Sequence, residues 1–300
     1  MKAFVTGGAG FIGSHLVDTL ISRGDTVHVI DNLSSGKKEF IHPSSVFHQL
    51  DICSPSVQRL ILDEKPDVIY HMAAQADVSR STSSPFSDMH SNLAGTINLL
   101  EACRRTPIKK FVFSSTSAVY GNVMCDKINE IQPPNPISFY GLSKYAAERY
   151  IRLYNDTFNI PYSILRYGNV YGPRQTSKGE GGVIAVFLET LKRNEALKIN
   201  GDGLQTRDYI YVQDVVDANI AAAEEPKNLV VQISTGESTS ILQLIQLIQE
   251  NHDTEVKTFH GADRQGDIKH SCLDNSLATA SLQWKPSYTI EEGIRNTYRC

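Results

Sequence analysis

The chain has 300 residues, enough for one large α/β domain or two smaller ones. Its 29 basic and 33 acidic residues leave a net charge of −4 with no basic block or acidic tail, which argues against nucleic acid or a membrane surface and for a small-molecule partner. Cys53, Cys103, Cys125, Cys272 and Cys300 are odd in number, scattered and without a Cys-x-x-Cys pair, so free thiols are expected rather than a disulfide framework or a metal site.

Lys2 to Val5 reads as a first strand, and no basic and apolar leader pattern precedes it. With no apolar run near the length of a membrane span, a cytoplasmic protein is expected. Thr6 to Gly13, Thr-Gly-Gly-Ala-Gly-Phe-Ile-Gly, joins this strand to an amphipathic helix over Phe11 to Leu20. Glycines at that junction suit a dinucleotide: Gly7 for the tight turn, Gly10 for backbone N–H groups near a pyrophosphate, Gly13 for a helix lying close to the sheet. Asp25 to Ile30 is the next strand and ends at Asp31, where a carboxylate accepts ribose hydroxyls and repels a 2′-phosphate, which favours NAD over NADP. Val46 to Leu50 gives a third strand, with Asp51-Ile52 beyond it as a place to hold an adenine edge.

Ser54-Pro55 is a helix start, and that helix ends before Pro66. Asp67 to Tyr70 is a short buried strand, and the small residues of His71 to Gln75 suit a loop passing close to a cofactor, with His71 itself structural. Met89, Leu93, Ile97 and Leu100 recur at helical spacing, predicting one long helix over Pro85 to Arg105 with Asn92 on its adjoining surface. Lys109 to Phe113 is a strand followed directly by Ser114 to Gly121. Tyr140 and Lys144 lie one turn apart near the start of a helix running to about Asp156, and an ammonium beside a phenol favours the phenolate, which suits acid/base work near neutrality.

Strands alternating with helices to about residue 170 point to a Rossmann-like doubly wound parallel sheet, and residues 171–300, with helices over Val183 to Arg193, Val212 to Ala223 and Ile241 to Asn251, to a smaller α/β substrate-binding lobe packed on it. The nucleotide-binding unit is accordingly placed at residues 1–170.

Thr6 to Gly13, Asp31-Asn32-Leu33, His71 to Ala74, Ser114 to Gly121, Tyr140 to Lys144, Leu165 to Gln175, Gly201-Asp202-Gly203 and Arg207 to Ile210 together resemble the extended short-chain dehydrogenase/reductases, over nearly the whole chain. Within them the chain looks most like the nucleotide-sugar epimerases of the UDP-glucose 4-epimerase type. The resemblance implies an NAD-dependent isomerase of galactose metabolism acting at C4 of a UDP-hexose through a transient 4-keto sugar. Tyr140 would be the acid/base, Lys144 its partner on the nicotinamide ribose, and Thr116 a relay to the same oxygen. The NAD site would comprise Gly7, Gly10, Phe11, Ile12, Gly13, Asp31, Asn32, Asp51, Ile52, Met72, Ala73, Ala74, Gln75, Asn92, Ser114 and Tyr167 besides Tyr140 and Lys144. The UDP-sugar would meet Thr116, Asn169, Val183, Ile199, Arg207, Arg264, Asp267 and Ser271, with Asn169 and the two arginines on the diphosphate and Asp267 on a ribose hydroxyl.

In the dehydratases and decarboxylases of this family an acidic residue stands at the position of Ala118; its lack here favours plain epimerisation, Asp77 and His90 having no specific claim to replace it. Ser271 matches by spacing a position that gates the pocket beside the sugar's C2 substituent, and its small size leaves the UDP-N-acetylhexosamine pair open beside UDP-glucose and UDP-galactose. Ala76 stands where some members carry a Lys near the substrate phosphate. A net NAD-dependent oxidoreductase of a nucleotide-linked 4-keto sugar is the second reading, and a non-catalytic dinucleotide sensor a remote third. The resemblance also implies a homodimer that pairs the helices of 85–105 and 139–156.

Overall fold

The computed structural model describes residues 1–123, 125–177, 182–263 and 268–299. The first part is built from β1 (Lys2–Thr6), α1 (Phe11–Ser22), β2 (Thr26–Ile30), β3 (Val46–His48), α2 (Pro55–Glu64), β4 (Val68–His71), α3 (Val78–Ser83), α4 (Pro85–Met89), α5 (Gly95–Cys103), β5 (Lys110–Thr116), α6 (Phe139–Phe158) and β6 (Tyr162–Tyr167). There follow β7 (Asn169–Tyr171), α7 (Val183–Lys192), β8 (Leu197–Asn200), β9 (Thr206–Arg207), β10 (Tyr209–Tyr211), α8 (Val212–Glu224), β11 (Leu229–Ile233), β12 (Thr239–Ser240), α9 (Ile241–Gln249), β13 (Thr258–Gly261), α10 (Ser276–Leu282) and α11 (Ile290–Tyr298).

Seven parallel strands form the central sheet in the order β11-β6-β5-β4-β1-β2-β3. The inner strands carry buried apolar residues on both faces, and alternate residues feed two cores. Ala3 and Val5 of β1 join Val112, Leu165 and Val231 under α1 and α8, whereas Phe4 joins Phe111, Phe113 and Ile164 under α2, α5 and α6. The strand order reverses between β1 and β4, so a crevice opens beyond their carboxyl ends, where Thr6, Ile30 and His71 stand in register.

The smaller lobe has its own core around Tyr171, Phe187, Leu191, Ile199, Tyr209, Leu244 and Ile248, framed by the strand pairs β7–β10, β8–β13 and β9–β12. The border drawn at residue 170 does not coincide with the sheet. After building part of the smaller lobe the chain returns, lays α8 against α1, and adds β11 to β6 with Leu229 to Ile233 opposite Ser163 to Tyr167.

Two elements differ from the sequence-based expectation. The stretch from Pro85 to Arg105 is not one regular helix: a π turn over His90–Ala94 separates α4 from α5, and within it the Asn92 carbonyl accepts from the Thr96 hydroxyl at 2.6 Å while the Asn92 side chain turns inward. The strand expected to stop at Phe113 continues to Thr116, because Ser114, Ser115 and Thr116 go on pairing with Leu165, Arg166 and Tyr167.

Candidate active site

At the end of β1 the chain turns through Gly7 at φ +68°, and a Cβ there would fall 2.7 Å from the Ala73 nitrogen. A Cβ on Gly13 would fall 2.1 Å from the Gly7 carbonyl oxygen, so the first turn of α1 lies directly on the turn that precedes it. Gly10 caps α1 without a side chain on the first N–H groups, which leaves a helix N-terminus shaped for an anion.

These glycines floor a cleft of about 650 Å³ over the strand ends. Asp31, at the tip of β2, accepts from Ala9 N at 3.0 Å through Oδ2 and from Leu33 N at 2.8 Å through Oδ1, so each oxygen keeps a lone pair for a ribose hydroxyl. Burial raises its pKa and the two backbone hydrogen bonds pull it back. Beyond it Asn32 donates to Asp51 Oδ2 at 2.8 Å, and Asp51 Oδ1 accepts from Cys53 N at 2.8 Å, so Asn32, Asp51 and Ile52 form one wall. Met72, Ala73, Ala74, Gln75 and Ser114 form the opposite wall, with Tyr140, Lys144 and Tyr167 at the inner end. A cradle that side chains would fill, a helix terminus and a carboxylate placed for a ribose fit an adenine dinucleotide without a 2′-phosphate.

His71 holds the Ala73 side of this wall from behind. Thr96 already donates its hydroxyl hydrogen to Asn92 O, so at 3.0 Å it accepts from His71 Nε2–H; His71 Nδ1 then accepts from Thr6 Oγ1 at 2.7 Å, and Thr6 accepts from Ala73 N at 3.2 Å. Burial, helped by the nearby Lys144 charge, pushes the imidazole down to about 3, so it is a neutral brace.

Asn92 is the one expected cofactor residue that the fold keeps away from the cleft. It is 1 % exposed, and it accepts from Gln75 N at 2.8 Å while Nδ2 faces Gln75 O at 2.9 Å and Ser143 Oγ at 3.0 Å. Its amide serves the Gln75 loop and α6, because the π turn points it inward.

Tyr140 and Lys144 lie on the first turns of α6, which Ser138 caps by accepting from Gly141 N at 3.0 Å. The buried Lys144 ammonium lies 4.6 Å from the centroid of the Phe113 ring. A Cβ on Gly141 would fall 2.5 Å from Ala118 O, so this helix start rests on the turn that follows Thr116. Thr116 Oγ1 accepts from Ala118 N at 3.1 Å and keeps its own hydrogen to donate.

A second cavity of about 210 Å³ adjoins the first; Thr116, Tyr140, Asn169 and Val183 line it, and Phe11, Ser115, Tyr140, Tyr167 and Gln175 belong to the walls of both. Ile199 lies outside both walls: alternation along β8 turns Leu197 and Ile199 into the small-lobe core and leaves Lys198 exposed. Arg207 and Ser271 meet on either side of Thr206, whose carbonyl accepts from Arg207 Nη1 at 2.8 Å and from Ser271 N at 3.3 Å, away from the walls of these cavities. Asp208 fixes this corner by accepting from Thr235 N, Gly236 N and Leu273 N. Arg264 and Asp267 lie outside the described residues. Asp77 and His90 line the larger cavity, and Asp77 Oδ1 accepts from the N–H groups of Ser79 and Arg80 as the cap of α3.

The sequence reading assigned no role to Arg174 or Gln175. Arg174, at φ +67°, pairs with Asp18 of α1 at 2.7 Å and lies 5.6 Å from the Phe40 ring centroid, closing the outer end of the large cavity. Their signal was the run Gly172-Pro173-Arg174-Gln175; the partners of Arg174, Asp18 and Phe40, lie far off in the sequence and carry no local pattern, whereas Gln175 Nε2 donates to the nearby Val170 carbonyl at 3.0 Å.

Fold and cleft together define an NAD-dependent enzyme of the Rossmann-like α/β class. The chain belongs to the NAD-dependent epimerase/dehydratase family, whose model matches residues 3–234. It is 42% identical to the UDP-glucose 4-epimerase of Thermotoga maritima solved with UDP-glucose, over 100% of this chain and 98% of that one, with a TM-score of 0.95. The UDP-glucose 4-epimerase of Thermus thermophilus, solved in complex with NAD, is 37% identical over 100% and 98% with a TM-score of 0.94. The UDP-N-acetylglucosamine 4-epimerase of Methanobrevibacter ruminantium, in complex with UDP-N-acetylmuramic acid, is 36% identical over 99% and 97% with a TM-score of 0.95.

Proposed function

We infer that this chain catalyses NAD-dependent epimerisation at C4 of UDP-hexoses, interconverting the gluco and galacto forms through a 4-keto sugar. The observation that carries this reading is Tyr140, which stands in the walls of both cavities, so that one phenol serves cofactor space and substrate space. NAD, when bound, supplies the acceptor and then the donor for the C4 hydride. Tyr140 takes the 4-hydroxyl proton as C4 is oxidised and returns it at the end. The Lys144 ammonium favours the phenolate, and Thr116 donates its hydroxyl hydrogen towards the same oxygen. Ala118 brings no second acid to C4, which favours epimerisation over elimination or decarboxylation.

Residues 1–170, completed by α8 and β11, are read as the nucleotide-binding unit and the remainder as the substrate lobe. Asn169, at the end of the first unit, and Val183 and Arg207 of the second are assigned to the UDP-sugar, with Asn169, Arg207 and Arg264 on the diphosphate and Asp267 on a ribose hydroxyl, so that the keto sugar turns over while its nucleotide stays held. Ser271, being small, extends the reading to the N-acetylhexosamine pair. The exposed apolar side chains Phe86 and Met89 of α4 and Leu142, Tyr150 and Leu153 of α6 support a homodimer joined through these helices. No helix among the described residues is long and apolar enough to cross a membrane, and the four described cysteines are free, in keeping with a cytoplasmic enzyme.

Purified protein incubated with UDP-glucose, UDP-galactose and their N-acetyl forms, without added cofactor, is expected to yield the C4 epimers. A stoichiometric change in NADH with no epimer would favour the net oxidoreductase instead.

A further inference from the structure

The helix that carries Tyr140 and Lys144 also carries Glu148, one turn further along the same face and 1 % exposed. Arg166 of β6 donates from Nε to Glu148 Oε1 at 2.9 Å and from Nη2 to Oε2 at 2.6 Å, and Ser115 of β5 donates to Oε1 at 2.5 Å. The remaining arm of the guanidinium, Nη1, donates to the Tyr120 hydroxyl at 2.8 Å, and Gln232 of β11 donates to that oxygen at 3.0 Å. Burial opposes the Arg166 charge, but its hydrogen bond to Glu148 prevails and raises its pKa.

Stability alone does not explain such a pair. Buried ion pairs lose so much hydration that apolar side chains of similar volume are often at least as stabilising. What apolar side chains do not supply is register: they pack at several offsets along a helix, whereas a guanidinium fork meets a carboxylate at one. Register matters here because Ser115 and Tyr120 flank the segment that holds Thr116, while Tyr140 lies about 12 Å of helix rise from Glu148.

We propose that Glu148 and Arg166 are positioning residues: their buried pair sets the axial position of α6, and with it where the Tyr140 hydroxyl stands relative to Thr116 and the sugar. The proposal rests on the epimerase reading of the site. Its test compares the full-length wild type with two changes that leave net charge unaltered, the double replacement Glu148→Met with Arg166→Met, and Tyr120→Phe. The double variant is expected to melt at or above the wild-type temperature, to retain NAD, and to lose about tenfold or more in kcat with KM within about threefold of wild type. Its crystal structure is expected to show the Tyr140 oxygen displaced from Thr116 by about 1 Å. Tyr120→Phe is expected to lose about threefold in kcat with the same unchanged KM. Wild-type kcat in a stable double variant, or an unmoved Tyr140, overturns the proposal. Should the double variant not fold, wild-type kcat in Tyr120→Phe overturns it. A wild type that epimerises no UDP-hexose removes the functional reading instead, and the crystallographic position of Tyr140 then decides the positioning claim by itself.

Discussion

The carbonyl oxygen of Ala118 occupies the space that a Cβ on Gly141 would need, with 2.5 Å between them. Two segments that each hold a proposed proton-transfer residue thus touch backbone to backbone. Gly141→Ala, which in an exposed helix would gain about 1 kcal/mol, is therefore expected to destabilise by about 1–3 kcal/mol through overpacking. As it pushes the first turn of α6 away from Thr116, kcat should fall by about tenfold or more. Thermal melting together with steady-state kinetics checks both, and a more stable, fully active Ala variant would refute the contact.

Tyr140→Phe should lower kcat by about 10²–10⁴ while NAD stays bound, because the phenyl ring still fills the wall between the cavities and only the proton carrier is lost. Absorbance of the bound cofactor and an epimer assay measure the two separately. Near-normal turnover would sink the role given to this residue.

Asp31 is expected to discriminate against a 2′-phosphate. In Asp31→Ser the repelling charge goes, so NADP binding should improve relative to NAD, while NAD itself weakens by about tenfold as its ribose partner is lost. Calorimetric titration of the cofactor-free protein with both dinucleotides gives the ratio; an unchanged ratio would remove Asp31 from the ribose site.

His71 predicts a pH dependence of stability. Its folded pKa is pushed down to about 3, whereas in the unfolded chain it takes up a proton near its ordinary value of about 6.5. Between those values the unfolded state binds the extra proton, so this contribution is fully present above about pH 6.5 and is lost as pH falls towards 3, at up to about 1.4 kcal/mol per pH unit. Urea unfolding at a series of pH values, compared with His71→Gln, isolates the slope. Parallel profiles for the two proteins would contradict it.

The proposed dimer makes Leu153→Glu combined with Phe86→Glu a decisive pair, since both side chains are exposed on the outer faces of α6 and α4. Sedimentation should report a dimer for the wild type and a monomer for the variant. A monomeric wild type would exclude this assembly.

Much of the lining of the large cleft was readable before any coordinates because its determinants are local. A glycine turn between a strand and a helix, an acidic strand tip and a Tyr-x-x-x-Lys helix start all write their geometry into adjacent residues, and Gly7, Asp31 and Tyr140 do line the cleft. Asn92 was misplaced because helical periodicity assumes a regular turn, whereas the π turn rotates its amide into the wall. Ile199 was misplaced for the opposite reason, as the alternation of Leu197, Lys198, Ile199 and Asn200 already marks it as core. Arg174 and the Glu148–Arg166 pair escaped notice because their meaning lies in partners brought together by the sheet rather than by sequence spacing.

The return of the chain to place β11 beside β6 bears on biosynthesis. Domains tend to fold from the N-terminus as they emerge during translation. Among the described residues it is 229–233 that pair with the outer edge of β6, so this sheet edge stays open until more than three quarters of the polypeptide has been made. Until then β6, with Ile164 and Leu165 among its apolar residues, is an unprotected edge of the kind that pairs with other chains. Through the whole synthesis of α7 to α8 that edge is therefore without the strand that covers it in the finished fold.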